Sequence, residues 1–124
     1  MATTEITTAN HDATVSEGIV LLDFWADWCG PCHMFAPVFE KASNEHSDIT
    51  FGKVDTEAQQ DLAASYGVQS IPTLVAYRDG IPLFSQAGAL PSEAVEDLIS
   101  QLRALDMDEI RAEYDKQVAE NAAK

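Results

Sequence analysis

The most constraining feature of the sequence is an apolar run that leads directly into a pair of cysteines. Residues Ile19–Trp25 read IVLLDFW, a nearly continuous hydrophobic run of strand length that is typical of a central strand buried on both faces. The motif WCGPCH follows at residues 28–33, and proline is well tolerated in the first turn of a helix. Apolar residues then recur at the spacing of one helix face, at Phe35, Val38, Phe39 and Ala42. The order predicts that Cys29 lies where a helix begins.

The cysteine motif is compatible with several chemistries. Its last five letters match the C-x-x-C-H pattern of haem attachment, and its first five match a dithiol redox centre. Haem attachment requires export, whereas the first fifteen residues show neither the basic start nor the apolar run of a signal peptide. A zinc site needs four ligands, and the scattered His11, His33 and His46 lack the paired spacing of such sites. A domain that only binds partners would be expected to lose a cysteine. We therefore expect a dithiol centre with no metal and no cofactor.

Composition limits the class of protein. The 124 residues fit one globular domain, and no stretch approaches the eighteen apolar residues of a membrane span. The 21 acidic and seven basic residues give a net charge of −14, which repels nucleic acid and mainly serves solubility. We expect a cytoplasmic protein. Because that compartment keeps thiols reduced, the two cysteines are interpreted as a reactive pair rather than a structural disulfide.

The spacing of the cysteines predicts unequal roles for them. Only the thiolate is a good nucleophile, and a helix N-terminus lowers the pKa of a thiol through its free N–H groups and its dipole. Cys29 occupies that position, while Cys32 lies one turn further in. Two intervening residues let the sulfurs meet, so Cys32 can resolve a mixed disulfide formed on Cys29. We expect Cys29 to be exposed and Cys32 to be shielded behind it.

The remaining elements predict an α/β sandwich with a partly parallel sheet and an antiparallel edge. Pro37 is expected to kink the helix that follows the cysteines. Asp79-Gly80 between two short apolar runs indicates a tight hairpin. The expected elements are a strand at 49–54, a short helix around 57–66, hairpin strands at 73–77 and 82–85, and a helix after Pro91.

The composition changes after residue 105. Residues 106–124 are rich in Ala, Asp and Glu, and Asp106 with Glu109 is similar to a capping box. An apolar stripe at helical spacing runs through Met107, Ile110, Tyr114 and Val118. We predict a domain at 1–105 and an acidic helical extension at 106–124, either packed on the domain or frayed in solution.

Three segments of the chain resemble the thioredoxin family. They are DFWADWCGPC, VDTEAQQDLAASYGVQSIPTL and the later GAL, and the resemblance covers about residues 5–105. It implies the thioredoxin fold, a central mixed β-sheet flanked by helices, here with an extra C-terminal helix. It also implies a monomeric protein-disulfide reductase whose partners are disulfide-containing client proteins and a thioredoxin reductase that recharges it.

The resemblance assigns roles around the cysteines. Asp23 stands in the apolar run, where burial raises the pKa of a carboxyl, although a solvated strand end is the alternative. Its counterpart in the family is a buried acid that exchanges a proton with the second cysteine. Lys53 resembles the lysine that modulates this acid, and a surface lysine is its alternative. Gly30, Pro31 and His33 complete the redox-tuning set, and His33 makes the local charge depend on pH.

The resemblance also predicts a substrate-docking surface. By base rate the Ile71–Pro72 bond would be trans, but in the family this proline is cis and packs beside the disulfide. The apolar surface would consist of Trp28, Gly30, Pro31, Ile71, Pro72, Ala87, Gly88 and Ala89. Trp25 is assigned to the core. His11 falls where relatives place a core aromatic, and we expect its ring to be partly buried there.

Overall fold

The computed structural model describes residues 2–123, which form alternating strands and helices. None of the helices in this range is long and apolar enough to cross a membrane. The elements are β1 (Thr3–Glu5), α1 (His11–Val15), β2 (Ile19–Trp25), α2 (Gly30–Glu45), β3 (Thr50–Asp55), α3 (Gln60–Ser65), β4 (Thr73–Arg78), β5 (Ile81–Ala87), α4 (Ser92–Ala104) and α5 (Met107–Ala122).

The strands form one mixed sheet in the order β1-β3-β2-β4-β5. The first three strands in that order are parallel, β4 pairs antiparallel with β2, and β5 pairs antiparallel with β4. This confirms the predicted partly parallel sheet with an antiparallel edge. Because β2 and β4 run in opposite directions, the end of β2 and the start of β4 meet at one edge of the sheet. The cysteine motif and Pro72 are therefore brought to the same place.

Two short N-terminal elements were not predicted. Strand β1 has three residues, TTE, and helix α1 has five, so neither is long enough to show a hydrophobic period. Helix α3 is also shorter than expected. It begins at Gln60 because the Asp55 carboxylate accepts the N–H groups of Glu57 and Ala58 at 2.9 and 3.3 Å and holds a turn before it.

The core is divided between the two faces of the sheet. Side chains alternate along β2, so Leu21 faces α2 and α4 while Leu22 faces the opposite side with Phe24. On the first face Leu21 packs with Phe35 and Phe39 of α2. Asp23 follows Leu21 by two residues and shares its face. The acid therefore lies on the side of the sheet that α2 covers.

The predicted hairpin is present as a two-residue turn. Asp79 and Gly80 connect β4 to β5, and both have positive φ, at 54° and 82°. Two such residues are the signature of the tight turn that matches the twist of hairpin strands. The turn is tied to the rest of the sheet because Asp79 donates its N–H to the Gly18 carbonyl at 2.9 Å.

The extension forms the predicted helix. Asp106 accepts the N–H of Glu109 at 3.2 Å, as a capping residue does. Met107, Ile110 and Tyr114 are half-buried, whereas Val118 is 49% exposed and no residue of α5 is buried. The first half of α5 therefore packs on the domain, and the second half projects from it.

Candidate active site

The two cysteines lie at the start of α2 and are joined as a disulfide. Cys29 is the N-cap residue, and its sulfur accepts the N–H of Cys32 at 3.2 Å. The Cα atoms of the pair are 5.3 Å apart. Gly30 and Pro31 form the first turn between them, where proline fits because its missing N–H is not needed. A sulfur at this position faces free N–H groups and the positive end of the helix dipole.

The expectation that Cys29 is exposed is wrong for this disulfide form. Cys29 is 3% exposed and Cys32 is 2% exposed. The Cys29 sulfur lies 3.6 Å from the carbonyl oxygen of Ile71, and the side chains of Ile71 and Trp25 pack against the pair. The loop before β4 therefore covers the Cys29 sulfur. The sequence pattern alone predicts that this sulfur is exposed at the start of the helix.

Pro72 and residues 87–89 meet beside the cysteines. The Ile71–Pro72 peptide bond is cis, as the resemblance implies. Gly88 donates its N–H to the Pro72 carbonyl at 2.7 Å and has a φ of 104°, a conformation that glycine adopts without strain. Pro72 itself is buried and lies beneath the predicted docking surface. Its other predicted members are exposed or half-buried: Trp28, Gly30, Pro31, Ile71, Ala87, Gly88 and Ala89.

Asp23 is completely buried, which excludes the solvated strand end. Its exposure is 0%, and neither carboxyl oxygen has a hydrogen-bond partner among the described residues. Burial raises the pKa of Asp23 to about 7, and the positive charge of Lys53 opposes part of that rise. A carboxyl with this pKa can both accept and release a proton near neutral pH.

Lys53 and Trp25 lie on the same side of this acid. Lys53 is opposite Asp23 in the register of β2 and β3, and its ammonium group lies 5.0 Å from the centre of the Trp25 ring. Such a cation–π contact holds the ammonium group near the buried carboxyl. Trp25 is half-buried rather than in the core, because it lies at the end of β2, where it packs against the cysteine pair and Lys53 lies over its ring.

Two hydrogen bonds order the loop that precedes α2. His33 places Nε2 2.6 Å from the Asp27 carbonyl oxygen, and the Trp28 indole donates to the Glu57 carboxylate at 2.7 Å. Glu57 was not predicted from the sequence, since nothing local in the sequence indicates a contact 29 residues away. Met34, which follows the motif, is 73% exposed.

His11 joins a half-buried chain of hydrogen-bonding side chains away from the cysteines. Its Nε2 contacts the Tyr66 hydroxyl, which lies 2.7 Å from the Tyr77 hydroxyl. Burial, together with the bond to Tyr77, raises the pKa of Tyr66. The His11 side chain is 13% exposed, so the expected partly buried ring is confirmed.

In residues 2–123, one group of three potential metal ligands lies within 4.8 Å of one another: Glu45, His46 and Glu96. It contains neither cysteine. His46 already contacts the Glu96 carboxylate at 2.8 Å and the Arg103 guanidinium at 3.2 Å. These two contacts occupy both ring nitrogens.

A disulfide at a helix N-terminus, with a buried titratable acid on the sheet face that this helix covers and a cis-proline loop beside the sulfur, defines the class of dithiol redox proteins. The thioredoxin family model matches residues 2–101. The chain is 52% identical to "Putative thioredoxin 2" of Streptomyces coelicolor over 99% of this chain and 90% of that protein. It is 43% identical to the thioredoxin of Bacillus subtilis over 82% and 98% of the two chains.

Solved structures agree with these relatives. A mutant thioredoxin of Halobacterium salinarum is 38% identical over 82% of this chain and 90% of that one, with a TM-score of 0.75. Plasmodium falciparum thioredoxin is 31% identical over 78% and 96%, with a TM-score of 0.72. The chain belongs to the thioredoxin family. It is a protein-disulfide oxidoreductase that acts by thiol–disulfide exchange through its cysteine pair.

Proposed function

We propose that the protein is a cytoplasmic, monomeric reductase of client-protein disulfides in which Cys29 attacks and Cys32 resolves. The observation that carries this order is the position of Cys29 as the N-cap of α2, where its sulfur accepts the N–H of Cys32 at 3.2 Å. That N–H and the helix dipole stabilise a thiolate on Cys29 more than on Cys32, which lies inside the helix.

The exchange proceeds in two displacements. In the reduced protein the Cys29 thiolate attacks one sulfur of the client disulfide, forms a mixed disulfide and expels the other client sulfur as a thiolate. The Cys32 thiolate then attacks the Cys29 sulfur, forms the disulfide of this structure and expels the second client thiolate. The client gains two electrons and, once both thiolates are protonated, two protons.

In this scheme Asp23 accepts the proton that the Cys32 thiol must lose. Cys32 begins as a thiol and must lose its proton before it can attack. Asp23 lies on the sheet face covered by α2, the helix that carries Cys32, and burial raises its pKa to about 7. We assign it the role of taking that proton, directly or through water, with Lys53 tuning its charge.

In this proposal the client protein binds to the exposed surface around the disulfide. The Ile71 carbonyl lies 3.6 Å from the Cys29 sulfur, so a client segment that runs along this loop would bring its own sulfur to Cys29. Trp28, Gly30, Pro31 and residues 87–89 would flank it, and Pro72 would support it from below. His33 and the first-turn residues tune the reactivity of the pair.

The test is reduction of insulin by the purified protein, coupled to a thioredoxin reductase and NADPH. Turnover that depends on both the protein and the reductase supports the proposal. The matched control is the Cys29→Ser, Cys32→Ser double variant, which should be inactive. The proposed function would be contradicted if the wild type gave no turnover in either of two assays, one with a flavin-dependent reductase as donor and one with a chemical dithiol.

A further inference from the structure

Positive charge is concentrated at the end of the sheet opposite the disulfide. Arg78 lies opposite Ile19 at the start of β2, whereas the cysteines follow the end of that strand, roughly 20 Å away at 3.3 Å per residue. Arg103 pairs with Asp48 at 2.6 Å, and Arg111 donates to the Asp79 carbonyl in the turn that follows Arg78. All three arginines are therefore engaged at the far end.

The disulfide end carries carboxylates instead. Asp27 is exposed, and Glu57 accepts from the Trp28 indole at 2.7 Å. Lys53 is half-exposed and lies outside the predicted docking surface, with its ammonium group over the Trp25 ring. Within residues 2–123, no lysine or arginine belongs to the predicted docking surface.

An open groove of about 310 Å³ adjoins Trp28 on this surface. Its lining combines small and apolar side chains with neutral polar ones, including Trp28, Gln60, Ala64, Val68, Gln69 and Ile71, and among residues 2–123 no basic side chain contributes to it. Trp28 is 71% exposed, so the π-face of its indole is open to solvent while its N–H edge is held by Glu57. An exposed indole beside a carboxylate attracts a cation through both the ring quadrupole and the negative charge.

We propose that this groove favours client segments that carry lysine or arginine next to their disulfide. The cationic side chain lies over the Trp28 indole and near the carboxylate of Glu57, while the client cysteine approaches Cys29 along the Ile71 carbonyl. This inference rests on the proposed disulfide-reductase function and specifies the substrates of that same site. Like charges at the mouth of the groove disfavour acidic segments.

The test uses short disulfide-bridged peptides that differ at one position beside the first cysteine: arginine, its neutral isostere citrulline, or glutamate. Pre-reduced protein is mixed with each peptide, and kcat/KM is measured at low ionic strength and in 0.5 M NaCl. We expect the order arginine, citrulline, glutamate, with the arginine peptide about fivefold faster than the citrulline peptide. Salt should reduce the ratio, because screening shortens the range of the charges.

Two variants distinguish the effect of the groove on the rate from differences in the intrinsic reactivity of the peptides. Glu57→Gln keeps an oxygen for the Trp28 indole but removes the charge, and it should lower the arginine-to-citrulline ratio about threefold. Glu120→Gln makes the same charge change at an exposed position on α5 and should keep the wild-type ratio. An identical ratio in the wild type and Glu57→Gln, or an equal fall in both variants, would overturn the proposal. Failure to reduce even the citrulline peptide would instead refute the proposed function.

Discussion

The disulfide end of the sheet and the C-terminal helix differ in how deeply their residues are buried. Around the disulfide, Asp23, Cys29 and Cys32 are all 3% exposed or less, and chain segments 25–32, 71–72 and 87–89 meet there. Helix α5 has no buried residue and is attached through three half-buried side chains and the Arg111 contact to the hairpin turn. The residues around the disulfide are thus stabilised by burial, whereas α5 packs only on the surface of the domain.

The buried region is the one that includes an unfavourable group. A carboxyl with no hydrogen-bond partner in an apolar environment destabilises a fold whenever it is ionised. Helix α5 contains no such cost, since its charged side chains remain in solvent. The proton transfer proposed above would give this unfavourable carboxyl a function, while α5 contributes at most a small gain in stability. Substitutions should therefore have very different consequences in the two regions.

The largest effect is expected for the cysteines. Cys32→Ser should leave Cys29 able to attack a client disulfide but unable to be released, so mixed disulfides should accumulate and turnover should fall by roughly 1,000-fold or more, an estimate for loss of the resolving nucleophile. Cys29→Ser should capture no client. Non-reducing electrophoresis with mass spectrometry would distinguish the two variants. Equal trapping by both would reverse the assignment of attacker and resolver.

Asp23→Asn should have the next largest effect, and its sign depends on pH. The folded carboxyl keeps its proton up to a pH of about 7, whereas the unfolded one loses it near 3.8. The native state therefore binds more protons between these values, and its unfolding free energy falls as pH rises through them, by about 4 kcal/mol. The variant lacks this loss, so it should be more stable than the wild type at pH 8 and nearly equal at pH 4.

Denaturant unfolding of the disulfide form at both pH values measures this difference. Asp61→Asn is the control, because that aspartate is exposed on α3, and it should change stability by less than about 1 kcal/mol at either pH. Asp23→Asn should also slow resolution of the mixed disulfide in single-turnover experiments. Unchanged exchange rates from pH 6 to 9, together with unchanged stability, would show that Asp23 takes no part in either process.

The sequence was sufficient to predict the centre of the fold. Strand β2 has the predicted bounds because its seven residues are almost all apolar, and the start of α2 follows from the proline and the helical spacing after it. The hairpin turn follows from Asp79-Gly80, whose positive φ values few other residue pairs adopt easily. Each of these signals is local, so a single sequence carries it.

Features that depend on contacts between distant segments could not be predicted in this way. The burial of Cys29 depends on Ile71, 42 residues away, and the orientation of Trp28 depends on Glu57. Elements β1 and α1 are too short to show a period. The cis bond before Pro72 was expected only through the family resemblance, since base rates favour the trans form.

Deletion of residues 106–124 should affect stability more than catalysis. It removes the half-buried side chains of Met107, Ile110 and Tyr114, which together contribute roughly 2 kcal/mol by area burial. The disulfide and the docking surface lie outside the deleted segment, so kcat/KM for insulin should change less than about twofold, within the range typical of remote surface changes. A tenfold fall in catalytic efficiency with a natural client would show instead that α5 takes part in recognition.

The smallest effect is expected for the contact that ties α5 to the hairpin. Arg111 donates to the Asp79 carbonyl and also lies 3.9 Å from Asp115, both at exposed positions. Arg111→Gln should therefore lower the unfolding free energy by about 0.5–1 kcal/mol, the range for exposed polar contacts, without changing the rate of disulfide reduction. Lys116→Gln is the matched control, since it removes one positive charge from the exposed part of the same helix.

Hydrogen exchange adds a local readout: amides of α5 should exchange faster in Arg111→Gln, while those of β2 remain protected. Equal effects of both substitutions would mean that net charge, rather than this contact, holds the helix. A change in the protection of β2 would mean that α5 and the central strand unfold as one unit.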